Sequence, residues 1–296
     1  MAKPSVEIGP FGVWYGMIDT LPTPEAQETA QLLEELGFGA LWLAEAVGRD
    51  PFVMSSVLLS ATSRLALATG IANIYARDPM TMNACHQALA EAYPGRFLLG
   101  LGVSHGHLVA GIRKHEWTKP YSYMSEYLDR MDAALYFAPK PTEAPGRVLA
   151  ALGPKMLRLS VDKANGAHPY FQTPDHTKLA RDVMGPDALL APEQMIVLSE
   201  DRDEARRIAR AGMQIYLGLP NYYNNLARLG FDESDWTNGG SDRLVDAIVA
   251  WGSDEYVAYR IREHHAAGAD HVCVQILTDG TPVSTDQFRR LAAMLL

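Results

Sequence analysis

Eight short apolar runs, each followed by at least one helical pattern, predict an α/β protein: a (β/α)8 TIM barrel spanning residues 1–296 as one domain. Two observations support that class. The fourth run, Phe97–Val103, is too apolar for a strand with one wet face and suits a parallel strand covered on both sides. Polar and titratable residues also gather where the runs end, the edge at which barrel enzymes carry their chemistry. A doubly wound open sheet is the competing architecture. No GxGxxG follows the first run, however, and GLGVSHG has neither that spacing nor that position.

In chain order, Val13–Ile18 reads as the first strand, and Pro22 and Pro24 lead into a helix with Ala26, Ala30, Leu33 and Leu36 on one face. The second strand, Ala40–Glu45, ends in an acid, and a helix follows from about Pro51 to Thr62. The third is Leu65–Ala72, followed by the loop YARDP and the helix Met80–Tyr93. Pro94 and Gly95 stop that helix, because proline disfavours helical backbone before it and glycine accepts a left-handed turn. After the fourth strand come a helix at Tyr121–Tyr136 and a fifth strand at Val148–Leu152. Pro154 opens the next helix, as proline does well in a first turn. Ala167–Phe171, Met195–Ser199 and His271–Leu277 complete the set. The excess over the roughly 250 residues of a plain barrel falls at about residues 215–250, rich in aromatics and asparagines. It is expected to be a helical, lid-like insertion between strands seven and eight.

Hydrophobic residues at 48%, charged residues at 21% and a net charge of -9 describe a globular chain whose acidic surface would repel nucleic acid. No run reaches membrane-spanning length and the start lacks a secretory pattern, so a cytoplasmic protein without membrane insertion is expected. Cys85 and Cys273 have neither CxxC spacing nor a histidine at ligand spacing, which predicts buried free thiols and no metal.

The segments ELGFGALWLAE, LALATGIANIYARDP, YPGRFLLGLGVSH and ALGPKMLRLS resemble the bacterial luciferase-like monooxygenase superfamily, and within it the branch of coenzyme F420-dependent oxidoreductases. The likeness runs over nearly the whole chain, the insertion being its least general part. It implies a deazaflavin cofactor, with FMN as the alternative, and a cis peptide at the step from Gly70 to Ile71 supporting one face of the ring. It also implies Asn73 near the ring's edge. Gly102, Val103 and Ser104 after strand four, and Gly153, Pro154, Lys155 and Met156 after strand five, would flank the ribityl and phosphate chain. A helix start is itself suited to phosphate. The resemblance further implies a homodimer paired through helices beside strands two to four.

Hydride transfer needs stacking, orientation and a proton acceptor near the substrate. Glu45 reads either as that acid or base or as a salt-bridge partner of Arg49 or Arg77. His105 is the second catalytic candidate, standing where some sugar-phosphate dehydrogenases of this branch have an acid, and that departure argues against a sugar-phosphate substrate. Trp14, Tyr15, His168, Tyr222 and Tyr223 are candidate walls of the substrate pocket, although Trp14, Tyr15 and His168 also read as plain core. Three functions are consistent with these residues: an F420-dependent oxidoreductase acting on a small organic molecule, an FMN-dependent monooxygenase, and a non-catalytic flavin-binding barrel.

Overall fold

The computed structural model describes residues 3–296. Its strands are β1 (Phe11–Trp14), β2 (Ala40–Leu43), β3 (Ala66–Thr69), β4 (Ala72–Asn73), β5 (Phe97–Gly102), β6 (Arg147–Leu149), β7 (Gly166–Ala167), β8 (Leu189–Leu190), β9 (Glu193–Val197), β10 (Val249–Trp251) and β11 (Val272–Ile276). Every pairing is parallel, and hydrogen bonding runs β9–β11–β1–β2–β3–β5–β6–β7–β8, with β4 also on β5. The two ends of that path, β8 and β9, are separated in the chain by only Ala191 and Pro192. They form one interrupted barrel strand, so the ring closes and the open doubly wound sheet is excluded. Ala191 and Glu193 carry the contact across the break by donating N–H to the carbonyls of Ala167 and Pro169, each at 2.9 Å. β10 pairs with β9 as an extra strand.

The outer ring comprises α1 (Thr23–Leu36), α2 (Pro51–Ala61), α3 (Pro79–Ala92), α4 (Pro120–Asp132), α5 (Pro154–Lys163), α6 (Pro174–Met184), α7 (Arg202–Leu217), α11 (Asp254–Ala266) and α12 (Thr285–Leu295). The predicted insertion is α8 (Pro220–Arg228), α9 (Glu233–Trp236), α10 (Asp242–Ile248) and β10. Helices α1 to α6 each have proline in the first two positions, where its missing N–H costs nothing and its φ is already helical. Asp50 and Asp78 cap α2 and α3 by accepting two backbone N–H groups each.

Several strand boundaries differ from expectation for local reasons. The first strand is Phe11–Trp14, and Gly16–Thr20 is a 3-10 turn in which Leu21 N–H bonds Ile18. The seventh begins at Leu189, with Pro192 concealing its continuity. The loop after β5 holds a π-helical turn, His107–Ile112. Between strands and helices lies the larger apolar layer, containing Leu33, Leu58, Leu67, Leu99 and Phe288. Inside the barrel, alanines at 40, 66, 68 and 191 leave room for the indoles of Trp14 and Trp42.

His168 lies in this interior, stacked on Trp42 at 4.4 Å between ring centres, and its Nδ1 donates to Ala191 O at 2.8 Å. Burial pushes it down to about 4, so it is neutral. His271 donates from Nδ1 to Gly9 O and accepts from Trp42 Nε1 at 3.0 Å. Cys85 and Cys273 are free thiols, and the described residues contain no cluster of potential metal ligands. No helix among them is long and apolar enough to cross a membrane.

Candidate active site at the barrel mouth

The third barrel strand breaks between β3 and β4, where the Gly70–Ile71 peptide is cis. Neighbouring glycines accommodate the break. A side chain at Gly100 would collide with the Thr69 carbonyl, and one at Gly102 with the Ile71 side chain. A Cβ at either glycine would thus meet the chain itself, the Thr69 carbonyl or the Ile71 side chain. Trp14 donates from Nε1 to Gly70 O at 2.9 Å, which fixes the indole against the break. Ser104, just past β5, has φ of 54°, a left-handed conformation uncommon outside glycine and one found often at functional loops.

Glu45 does not stand free. Its Oε2 accepts the Asn73 N–H at 2.7 Å and Arg77 Nη1 at 2.8 Å, and its Oε1 accepts Arg77 Nη2 at 2.9 Å. Both side chains are buried, at 5% and 8% exposure, so this is a bidentate pair shielded from water. Of the two partners open in the sequence, Arg77 is the one found. Arg49 instead donates to Leu21 O and bonds Asp19 through its backbone. With both oxygens engaged, the geometry departs from the expectation of a free base at this position. Beside the pair opens a cavity of about 360 Å³ lined by Arg49, Arg77 and Arg113. Glu45, Asp50 and Asp19 lie against those arginines, so it has no evident excess of positive charge.

The other side of the mouth is aromatic. Tyr170, Phe171, Tyr216 and Tyr222 pack with ring centres 5.1 to 6.5 Å apart, and Trp14 joins them at 5.1 Å from Tyr170. The Tyr170 hydroxyl donates to Gln275 Oε1 at 2.8 Å and lies 2.8 Å from the Tyr216 hydroxyl. His105 faces this wall with its ring 5.6 Å from Tyr222. Burial holds His105 below its usual pKa, and a hydrogen bond with the Asn221 side chain of α8 opposes that shift. The insertion thus reaches the site through Asn221 and Tyr222.

Other candidates lie elsewhere. Tyr223 turns away and stacks on Trp236 at 5.9 Å. Tyr15 points outward from the strand that aims Trp14 inward. Its hydroxyl accepts the Val283 N–H and its ring meets Phe288 edge-on, so it is core. His168 lies below the mouth, near Gly70. Gly153, Pro154 and Lys155 form the uncapped start of α5, with Met156 partly buried behind it.

Sequence reasoning overlooked Tyr170, Tyr216, Gln275 and Glu193. Glu193 is 1% exposed, receives only the Phe171 N–H at 3.3 Å, and leaves Oε1 without a protein partner. Burial pushes its carboxyl up to about 8, so it is protonated at neutral pH. A glutamate inside the apolar run APEQMIVL was the available signal.

Residues 13–271 match the luciferase-like monooxygenase family. The chain belongs to that family. Over 96% of its length and 98% of the relative's, it is 25% identical to a Mycobacterium tuberculosis protein named "Putative coenzyme F420-dependent oxidoreductase". Among solved structures, it superposes on an F420-dependent secondary alcohol dehydrogenase holding an F420-acetone adduct with a TM-score of 0.76, at 15% identity over 97% of this chain and 99% of that one. The coenzyme F420-dependent tetrahydromethanopterin reductase of Methanopyrus kandleri gives 0.76 at 16% identity, covering 98% of both chains. The FMN-bound oxygenating component of 3,6-diketocamphane monooxygenase from Pseudomonas putida gives 0.68 at 15% identity, over 97% of this chain and 99% of that one. At these identities the structural likeness establishes the shared luciferase-like barrel.

Replacing Arg77 with Met leaves the buried Glu45 charge with only the more distant Arg113, 3.6 Å away. Urea unfolding is expected to show a loss of about 3 kcal/mol or more, and a loss below about 1 kcal/mol would contradict a buried structural pair. Glu45→Gln, which keeps an acceptor for the Asn73 N–H, is expected to cost less.

Proposed function

We propose that the protein is a coenzyme F420-dependent oxidoreductase, moving a hydride between the deazaflavin and a small organic substrate: an alcohol or carbonyl, an enone or an imine. The observation that carries the enzymatic reading is His105, half-buried at the mouth and facing an aromatic wall with its ring 5.6 Å from Tyr222. The F420-named relative, matched end to end, supports the cofactor. The residues at the mouth fit such a group, since Asn73 Nδ2 is buried with no protein partner beside the β3–β4 break. Gly70, Ile71 and Asn73 would support the ring, and Val103, Ser104 and the start of α5 the chain that follows.

When bound, coenzyme F420 supplies a hydride acceptor or donor at C5. His105, neutral at pH 7, takes the hydroxyl proton in the oxidation direction and returns it in reduction. Trp14, Tyr170 and Tyr222 exclude water, and their apolar faces favour a small, largely apolar substrate. The high pKa of Tyr170, raised by burial, keeps that hydroxyl a hydrogen-bond donor and not a base. FMN-dependent oxygenation is the second reading, supported by the FMN-bound structural neighbour. A non-catalytic barrel is the third, disfavoured by the half-buried histidine at the mouth.

In the oxidation direction, kcat/KM should fall as pH drops through the His105 pKa, which lies below 6.5, because protonation removes the acceptor. The His105→Ala protein should lose about 10²-fold or more in kcat with F420 affinity little changed. Steady-state rates and a binding titration check both, and wild-type turnover by the variant would remove His105 from the mechanism.

The same reading makes the protein a cytoplasmic homodimer. Val47, Val53 and Met80, at 75%, 65% and 53% exposure, lie at or before the starts of α2 and α3, on the side where pairing is expected. Light scattering should give twice the chain mass of 32.5 kDa, and a value of 32.5 kDa would refute the dimer.

A further inference from the structure

Successive residues of β11 face opposite sides of the barrel wall. Val274 and Ile276 pack outward into the layer between strands and helices, whereas Cys273 packs inward with Trp14 and Trp42. Gln275, two residues beyond Cys273, therefore points into the barrel one layer nearer the mouth. It is half-buried where Val274 and Ile276 are buried. Pairing with β1 matches Gly12 to Cys273 and Val13 to Val274, so the next position sets Trp14 beside Gln275. Its partner on the other side is Met195 of β9, which packs with Phe171 and Tyr222. The two ends of the Gln275 carboxamide are used differently. Oε1 accepts the Tyr170 hydroxyl at 2.8 Å, and the Tyr216 hydroxyl lies 2.8 Å from that of Tyr170. A hydroxyl has one proton, so Tyr170, having given its own to Gln275, accepts from Tyr216. Nε2 keeps two N–H donors with no hydrogen bond among the described residues, and it is not sealed in as Glu193 Oε1 and His168 Nε2 are. The groups around this corner are neutral: Tyr170, Tyr216 and, one layer below, Cys273 and Glu193 stay uncharged at pH 7 because burial raises the pKa of each.

We propose that Gln275 determines specificity by donating from Nε2 to a neutral carbonyl oxygen of the substrate. The proposal rests on the reading of this mouth as a substrate pocket and narrows the substrates given there. Ketones and enones match a fixed pair of donors between aromatic walls. A protonated imine would bring N–H against N–H. Turning the carboxamide to offer oxygen instead would require Tyr170 and Tyr216 to reverse their donation. A carboxylate would lose its hydration in a neutral corner with no cation to replace it. Tyr170 and Tyr216 thus act as positioning residues, holding one end of the carboxamide so that the other meets the substrate as a donor.

The test follows the side-chain amide resonances of Gln275 in the nitrogen-15-labelled full chain, assigned through their contacts with the Tyr170 ring. The chain is studied alone and saturated with whichever of F420 and FMN binds. The probes are cyclohexanone, methylenecyclohexane of the same shape, and cyclohexylammonium. Cyclohexanone is expected to shift the Gln275 amide saturably, and methylenecyclohexane to leave it in place. In Gln275→Met, with folding checked by circular dichroism, cyclohexanone should bind about fivefold more weakly while methylenecyclohexane binds as before. The proposal is overturned if cyclohexanone produces no saturable shift in either state, if both uncharged probes shift the amide alike, or if the ammonium is preferred. If the variant does not fold, the contrast between the two uncharged probes in the wild type decides. A ketone-selective shift in a chain that binds no F420 leaves Gln275 in place and removes the deazaflavin reading, whereas F420 binding without that shift does the reverse.

Discussion

The carboxylate of Glu45 holds the mouth together. It leaves the end of β2, accepts the backbone of Asn73 at β4 and grips Arg77 in the following loop. Arg77 then reaches Asp50, the cap of α2, and its carbonyl accepts the Tyr127 hydroxyl of α4 at 2.9 Å. One buried pair therefore joins the ends of two barrel strands to two outer helices. A buried pair is poor evidence for net stability, because desolvation offsets its attraction. Its evident effect is positional, since the β3–β4 break can hold its place only if the chain on either side is fixed.

Facing that polar anchor is an aromatic wall contributed by the loop after β7, by α7 and by α8. The two sides differ in kind: the first is a rigid hydrogen-bonded frame within the barrel, whereas the second depends on rings from the insertion packing onto Tyr170. Between them stand Trp14, pinned to Gly70, and His105, beside Tyr222. The glutamate just past β2 has both oxygens engaged by Asn73 and Arg77, whereas His105 has no such charged partner.

The barrel was legible because strand and helix periods are local and repeat in order. The misplaced boundaries have local causes too. Trp14 to Ile18 is apolar throughout, so a strand and the 3-10 turn after it look alike, and Pro192 hides the continuity of β8 and β9. Pairing was less legible. Arg49 and Arg77 both lay within reach of Glu45 in the sequence, and only the packed loops select Arg77. The sequence does not say that a side chain at Gly100 or Gly102 would meet Thr69 or Ile71. Tyr222 and Tyr223 were indistinguishable as neighbours, yet helical geometry sends one to the site and the other to Trp236.

Whether this mouth receives a deazaflavin is decided by parallel equilibrium titrations of the purified chain with coenzyme F420 and with FMN, followed by absorbance and fluorescence quenching. Saturable binding of F420, with FMN binding much more weakly, is the predicted result. Tight FMN binding with none for F420 would contradict it.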